Sequence, residues 1–248
     1  MLKVFEARAS NPMFANDAGR EVACLTRLAG SGMAPELVTH GSFEGYAWVL
    51  YRHLSGSPWT QGPDIVAQLL GRLHACDPLT DLPLGCNGSQ DQRDHALRIL
   101  AGCSDAVRYR LLALRPDQQV APVARRVLVH GDPVPGNLVT HDGTVSLIDW
   151  QCPVLGDPAE DIGIFLSPAM QHLYRGDVLS SAEVEGFLSA YPDPDVVHRY
   201  RQLAPWLHWR MAAYCAWRAE HGKSDYAEAL ELEIAVLEDQ RSSAARTA

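Results

Sequence analysis

Val127-Leu128-Val129-His130-Gly131-Asp132-Pro133-Val134-Pro135-Gly136-Asn137, followed by Val145-Ser146-Leu147-Ile148-Asp149-Trp150, is the stretch on which the reading of this 248-residue chain turns. The apolar runs 127 to 129, 138 to 139 and 145 to 148 bracket polar loops, which predicts a strand, loop, strand, turn, strand unit over 127 to 150. Between Asp132 and Asn137 the segment Pro133-Val134-Pro135-Gly136 is too rich in Pro and Gly for a helix, so both polar residues sit on a rigid loop. Asp149 follows Asn137 by twelve positions, where the last strand emerges. Its carboxylate is thereby placed to point back at the loop, and three oxygen donors converge.

Phosphoryl transfer uses this inventory: an Asp to accept or orient the acceptor hydroxyl, and an Asn with a second Asp as hard oxygen ligands for magnesium. Asp-x-x-x-x-Asn is the spacing of a kinase catalytic loop, from which His130-Gly131-Asp132 differs at the middle position of the triplet. Taken singly, Asp132 is an ordinary turn residue and Asn137 an ordinary loop cap; the trio with Asp149 is what carries the reading. His130 reads as a hydrogen-bonding brace rather than a base, because the site already holds a carboxylate.

His-Gly-Asp, then Pro-Gly-Asn, then Ile148-Asp149-Trp150, then Gly156-Asp157-Pro158-Ala159-Glu160-Asp161 resembles the aminoglycoside phosphotransferase and choline kinase-like superfamily in order and spacing. Leu70-Gly71-Arg72-Leu73-His74 is similar to the helix ahead of that family's catalytic region. The resemblance spans residues 1 to about 165, with the later helices alike in character only. It implies an α+β, two-lobed protein kinase-like fold with a truncated small N-terminal lobe, 1–53, and a mainly helical C-terminal lobe, 54–248.

It further implies that Asp132 is the catalytic base and that Asn137 and Asp149 hold Mg2+. Lys3 in Leu2-Lys3-Val4-Phe5 would contact the α- and β-phosphates of ATP, with Glu21 as its ion-pair partner, and the backbone near Arg52 and His53 would meet the adenine. Asp157 and Asp161 resemble the acidic pair that follows the metal aspartate, bracing the loop or facing the acceptor. On the residues alone, Lys3 equally suits a solvated edge strand and Glu21 a surface charge. The expected activity is phosphorylation of a hydroxyl on a small acceptor such as an aminoglycoside, choline or thiamine.

One part of the pattern is missing. A kinase-type small lobe begins with two strands joined by a glycine-rich loop over the phosphates, yet the candidate lysine is the third residue and no G-x-G-x-x-G occurs. Gly222-Lys223-Ser224 is no substitute, since a phosphate-binding Walker loop needs Gly where Trp217 stands. A start downstream of the true one, an open phosphate roof and a non-catalytic pseudokinase all remain; the intact base and metal ligands favour an enzyme. A two-metal phosphohydrolase is disfavoured, because no His or carboxylate cluster completes its site.

The remainder is read from pattern. Residues 2 to 5, 37 to 40 and 46 to 51 are β-prone, with Gly41 to Gly45 as a turn, and Val22, Leu25 and Leu28 mark a helix from about Arg20 to Ala29. Ile65, Leu69, Leu70 and Leu73 share a helix face ending near His74. A loop over 76 to 93 precedes helices over about 94 to 115 and 117 to 125. Trp206, Trp209 and Trp217 lie on a helix from about Pro205 to Glu220, as core or as a stacking surface. Tyr226, Leu230, Ile234 and Leu237 form a stripe whose helix frays from Ser242, with Glu228, Glu231 and Glu233 on a solvated face.

Composition bounds the rest. Lys plus Arg is 21 against Asp plus Glu 30, and a net charge of -9 speaks against a nucleic-acid footprint while suiting a cationic acceptor. Six scattered cysteines without a C-x-x-C pair suit a reducing compartment, and no apolar run nears the ~18 residues of a membrane span, so the expected setting is the cytoplasm. Oligomeric state is not legible.

Overall fold

Strand β1 (Leu2–Phe5) pairs antiparallel with β3 (Tyr46–Tyr51), and β3 pairs on its other side with β2 (Leu37–Phe43), giving a small sheet of order β1-β3-β2. The computed structural model describes residues 1–6 and 11–247, with side chains through Ser242. Period two sorts β1: Phe5 is buried with Val49, and Lys3 faces the same way, while Leu2 and Val4 lie on the outer face and are more than half exposed. The turn is tighter than expected. Strand β2 runs on through Phe43, and only Glu44 and Gly45, both at positive φ, make the connection, as a two-residue hairpin requires.

Helix α1 (Ala18–Arg27) covers the inner face of this sheet. Asp17 starts it by accepting the Arg20 N–H, and its buried side holds Glu21, Cys24 and Leu25. After a two-residue strand β4 (Ser57–Pro58), the chain enters α2 (Pro63–His74), with Pro63 at its first position and Val66, Leu69, Leu70 and Leu73 fully buried.

Helix α3 (Ser89–Leu100) begins inside the expected loop, and Ala101 to Ser104 separate it from α4 (Asp105–Ala113). No helix forms over 117 to 125. That segment contains Pro122 and spends its backbone on its neighbours instead: Val120 bonds Ser89, Val123 bonds Asn87, and the Gln118 carbonyl accepts the Trp206 indole N–H.

The central unit follows the expectation, with β5 (Val127–Val129), a single helical turn over Pro135–Asn137, β6 (Leu138–His141) and β7 (Thr144–Leu147). β6 pairs with β7 and with β4, whereas β5 pairs with a further strand, β8 (Val154–Gly156). Four helices follow: α5 (Ala159–Phe165), α6 (Pro168–Arg175), α7 (Ser181–Ala190) and α8 (Pro194–Glu220).

Helix α8 is the post of the larger lobe, about 40 Å long at 1.5 Å per residue. It starts eleven residues earlier than expected, because Asp193 caps it by accepting the Asp195 and Val196 N–H groups, and Pro205 is carried in its interior. Trp206 and Trp209 are buried in the core, which settles them as packing residues, and helices α3, α5 and α9 (Tyr226–Thr247) lie against α8. Helix α9 continues through the expected frayed tail. Glu233 departs from the expected solvated face: it is fully buried and takes hydrogen bonds from Ser167 and His208, while Glu228 and Glu231 are exposed.

Candidate active site

Strand β5 delivers the loop that carries Asp132 and Asn137. Gly131 has φ of 84°, and a Cβ there would come within 2.4 Å of the Cys152 carbonyl oxygen, so only glycine fits between His130 and Asp132. The Asn137 N–H bonds the Val134 carbonyl at 2.8 Å, and its side-chain amide donates to the Asp132 carbonyl at 2.9 Å and to Asp132 Oδ2 at 3.2 Å. The Ile148 N–H bonds the Asn137 carbonyl at 2.9 Å, which sets Asp149 beside the same loop.

Asp149 has φ of 66°, a left-handed conformation that aspartate tolerates better than most residues. Its carboxylate accepts from Lys3 Nζ, and Lys3 also bonds Glu21 Oε2 at 2.5 Å. Sequence left Lys3 and Glu21 open between surface charges and site residues; the structure brings both together with Asp149. Burial would lower the Lys3 pKa, but the carboxylates of Asp149 and Glu21 outweigh it and hold the ammonium above its ordinary value. Glu21, buried at 1% exposure, is pushed up by burial and pulled back by Lys3.

Burial, with the Asp149 charge behind it, pushes the Asp132 carboxyl up to about 8, against the Asn137 amide that favours its ionised form. His130 is fully buried and its pKa is lowered by that burial. The Asp132 N–H donates to its Nδ1, so the neutral ring carries its hydrogen on Nε2 and gives it to the Ile148 carbonyl at 3.1 Å. It is a brace between the loop and the strand carrying Asp149.

Asp161 and Asp157 are both fully buried. Asp161 accepts the His130 and Gly131 N–H groups, each at 2.9 Å, and lies 3.0 Å from His74 Nε2, whose Nδ1 meets the Tyr191 hydroxyl at 2.7 Å. Asp157 pairs with Arg199 and accepts the Ala159 N–H. These contacts turn both carboxylates inward to structure.

Arg52 and His53 stand apart from this cluster. Arg52 pairs with Glu36, to which its backbone N–H is also given, and both residues line an open cavity of about 590 Å³ that shares no lining residue with Lys3, Asp132 or Asp149. His53 makes no hydrogen bond among the described residues, which leaves its backbone groups available.

The donor set fits a magnesium ion. The Asn137 amide nitrogen is used by Asp132, while its oxygen and one Asp149 oxygen have no partner among the described residues. Two hard protein oxygens, completed by phosphates and water, are what magnesium takes in such sites. Sequence reasoning missed His74 as a member of the site's support, and also Tyr174, whose ring packs on Gly136 so closely that a Cβ there would lie 2.8 Å from its Cδ1. Tyr174 carries no local signal, since it meets the loop from a distant helix, and the Leu70 to His74 segment gives no sign that His74 reaches Asp161.

A three-stranded small lobe over a helical one, with this loop between them, defines a protein kinase-like small-molecule phosphotransferase. The sequence model of the phosphotransferase enzyme family matches residues 4–203, and the chain belongs to that family. Among solved structures, a choline/ethanolamine kinase family protein from Mesorhizobium loti superposes with a TM-score of 0.62 at 15% identity, over 96% of this chain and 81% of that one. Choline kinase LicA from Streptococcus pneumoniae gives 0.60 at 17% identity, over 96% and 86%. An aminoglycoside-3'-phosphotransferase of type VIII gives 0.53 at 19% identity, over 83% and 84%. The sequence matches none of the curated proteins compared with it. Among the described residues no helix is long and apolar enough to cross a membrane.

Proposed function

We propose that this chain transfers the γ-phosphate of ATP, with Mg2+, to a hydroxyl of a small molecule, and that the site lies between lobes formed by residues 1–53 and 54–248. The observation that carries this is the single cluster in which Glu21 holds Lys3, Lys3 meets Asp149, and Asp149 stands beside the Asp132 and Asn137 loop.

In this reading Asn137 Oδ1 and the Asp149 carboxylate hold the magnesium, which supplies positive charge against the phosphate oxygens. Lys3 is held cationic for the α- and β-phosphates by Glu21. The free backbone groups of His53 suit the adenine edge better than those of Arg52, whose N–H is spent on Glu36. Asp132 orients the acceptor hydroxyl and takes its proton as the new O–P bond forms and the bond from phosphorus to the ADP oxygen breaks. Asp161 and His130 keep the loop in register.

The similar solved structures are named for choline, ethanolamine and aminoglycosides, all small hydroxyl compounds, which supports an acceptor of that size. All six cysteines are unpaired, in keeping with a cytoplasmic setting. The pseudokinase reading is not favoured, because the residues read here as base, metal ligands and nucleotide lysine lie in one connected cluster. The test is the thermal shift of the purified chain with Mg-ATP, followed by ADP release across a panel of alcohols. Stabilisation with acceptor-dependent ADP supports the reading; stabilisation without ADP from any alcohol would revive the pseudokinase.

A further inference from the structure

Three tyrosines from three helices meet beside the catalytic loop. Tyr174 of α6 packs on Gly136 and is nearly half exposed, its hydroxyl 3.4 Å from that of Tyr226 at the start of α9. Tyr226 packs edge-on against Tyr214 of α8 with centroids 5.9 Å apart, and the Tyr214 hydroxyl accepts the Asn11 amide at 3.0 Å. This aromatic wall therefore flanks the place where an acceptor hydroxyl must come.

A guanidinium already occupies the wall. Arg218, one turn beyond Tyr214, lies over the Tyr226 ring at 5.0 Å and the Tyr214 ring at 5.9 Å. Three other partly or fully buried arginines of the lobe are paired, Arg199 with Asp157, Arg210 with Glu160 and Arg175 with Glu183, whereas Arg126, like Arg218, has no carboxylate partner among the described residues. The Arg218 Nε is buried and unpartnered among those residues, as are those of Arg126 and Arg210, so its terminal nitrogens are the ones a ligand would meet. The undescribed Ala7-Arg8-Ala9-Ser10, next to Asn11 in sequence, contains no acidic side chain. Glu228 of α9 is turned to His172, and Glu220, two residues beyond Arg218, to Ser104.

An aromatic wall can hold a cation by its ring faces, but here the fixed positive charge of Arg218 lies over two of the three rings, Tyr226 and Tyr214, and would repel one. A planar fork of N–H donors without an anion is instead half of a bidentate oxyanion site. Resting on the kinase reading above, we propose that Arg218 selects the acceptor by charge, so that the hydroxyl compound phosphorylated carries an oxyanion group and lays its body against Tyr174. This sets the acceptor charge opposite to the one that global net charge suggested.

The test is ADP release, with Mg-ATP, from two matched series of alcohols. One runs glycerate, glycerol phosphate, glycerol and ethanolamine; the other hydroxymethylbenzoate, benzyl alcohol and aminomethylbenzyl alcohol. The expected result is turnover led by the anionic members, glycerate against glycerol phosphate telling carboxylate from phosphate. Arg218→Gln should raise KM for the anionic acceptor by roughly 10- to 100-fold, Arg218→Lys should recover part of it, and Arg218→Glu should reverse the charge order. A merely structural role for Arg218 would not reverse that order, and melting curves identify any variant that fails to fold. Turnover confined to cationic or neutral alcohols overturns the inference and leaves the kinase reading standing. Silence from every alcohol, with or without a Mg-ATP shift, counts against the kinase reading itself, and the inference falls with it.

Discussion

Lys3 Nζ meets Asp149 Oδ1 across 146 positions of sequence, and this contact ties the small lobe to the segment beside the Asp132 loop. One ammonium thus serves two carboxylates, Asp149 outward and Glu21 inward. Replacing Asp149 by Asn keeps a residue that tolerates its left-handed backbone while removing the charge. Asp149→Asn is expected to melt close to the parent chain and to show no acceptor-dependent ADP release. Retained turnover would remove Asp149 from the metal site.

Glu21 is buried and relies on Lys3 for its compensating charge. Lys3→Met should therefore lower stability by roughly 1–3 kcal/mol, since an uncompensated buried carboxylate is left behind. Adding Glu21→Gln should return part of that loss, whereas the affinity for Mg-ATP should stay weak in both variants. Denaturant midpoints and nucleotide titrations of the single and double variants check this, and a double variant no more stable than Lys3→Met alone would count against the pairing.

Much of this was legible from the chain. The His130 to Asp149 stretch announced its loop because Pro133, Pro135 and Gly136 forbid a helix and the apolar runs on either side are short. The helix over 117 to 125 failed because its apolar and polar residues mimic helical spacing, while Val120 and Val123 bond the turn before α3. Glu233 looked like one of three solvated glutamates; only the fold shows that α6 and α8 bring Ser167 and His208 to it. Tyr174 and Arg218 were invisible for the same reason, as long-range contacts leave no periodicity.

Asp161 holds the backbone of His130 and Gly131 with two charge-assisted hydrogen bonds and is itself held by His74. Asp161→Asn offers an N–H where an acceptor is needed, at a cost of about 1–3 kcal/mol for the buried donor left unpaired. The expected kinetic signature is a fall in kcat exceeding any rise in the KM for ATP, because the displaced loop carries Asp132 rather than the nucleotide contacts. A rise in the KM for ATP without a fall in kcat would argue against this role, and melting curves at the assay temperature identify any fall in kcat that comes from unfolding.

His95 bonds the Pro12 carbonyl at 2.9 Å, and burial, followed by the Arg210 charge, holds its imidazole down to about 4. The folded value lies below the unfolded one of about 6.5, so the stabilisation is present above about pH 6.5 and is lost as pH falls toward 4. Between about pH 7.5 and pH 5 the parent chain should lose about 1–2 kcal/mol more stability than His95→Gln, read from denaturant midpoints. Parallel losses in the two proteins would show that His95 is not the group responsible.

The most direct test is of Asp132 as the base. ADP release from Mg-ATP with an acceptor should be measured for the parent chain and for Asp132→Asn, each alongside its thermal shift with Mg-ATP. The account predicts that the variant keeps the nucleotide shift and loses about 10²- to 10⁴-fold in acceptor-dependent kcat. Turnover in Asp132→Asn equal to that of the parent chain would contradict it.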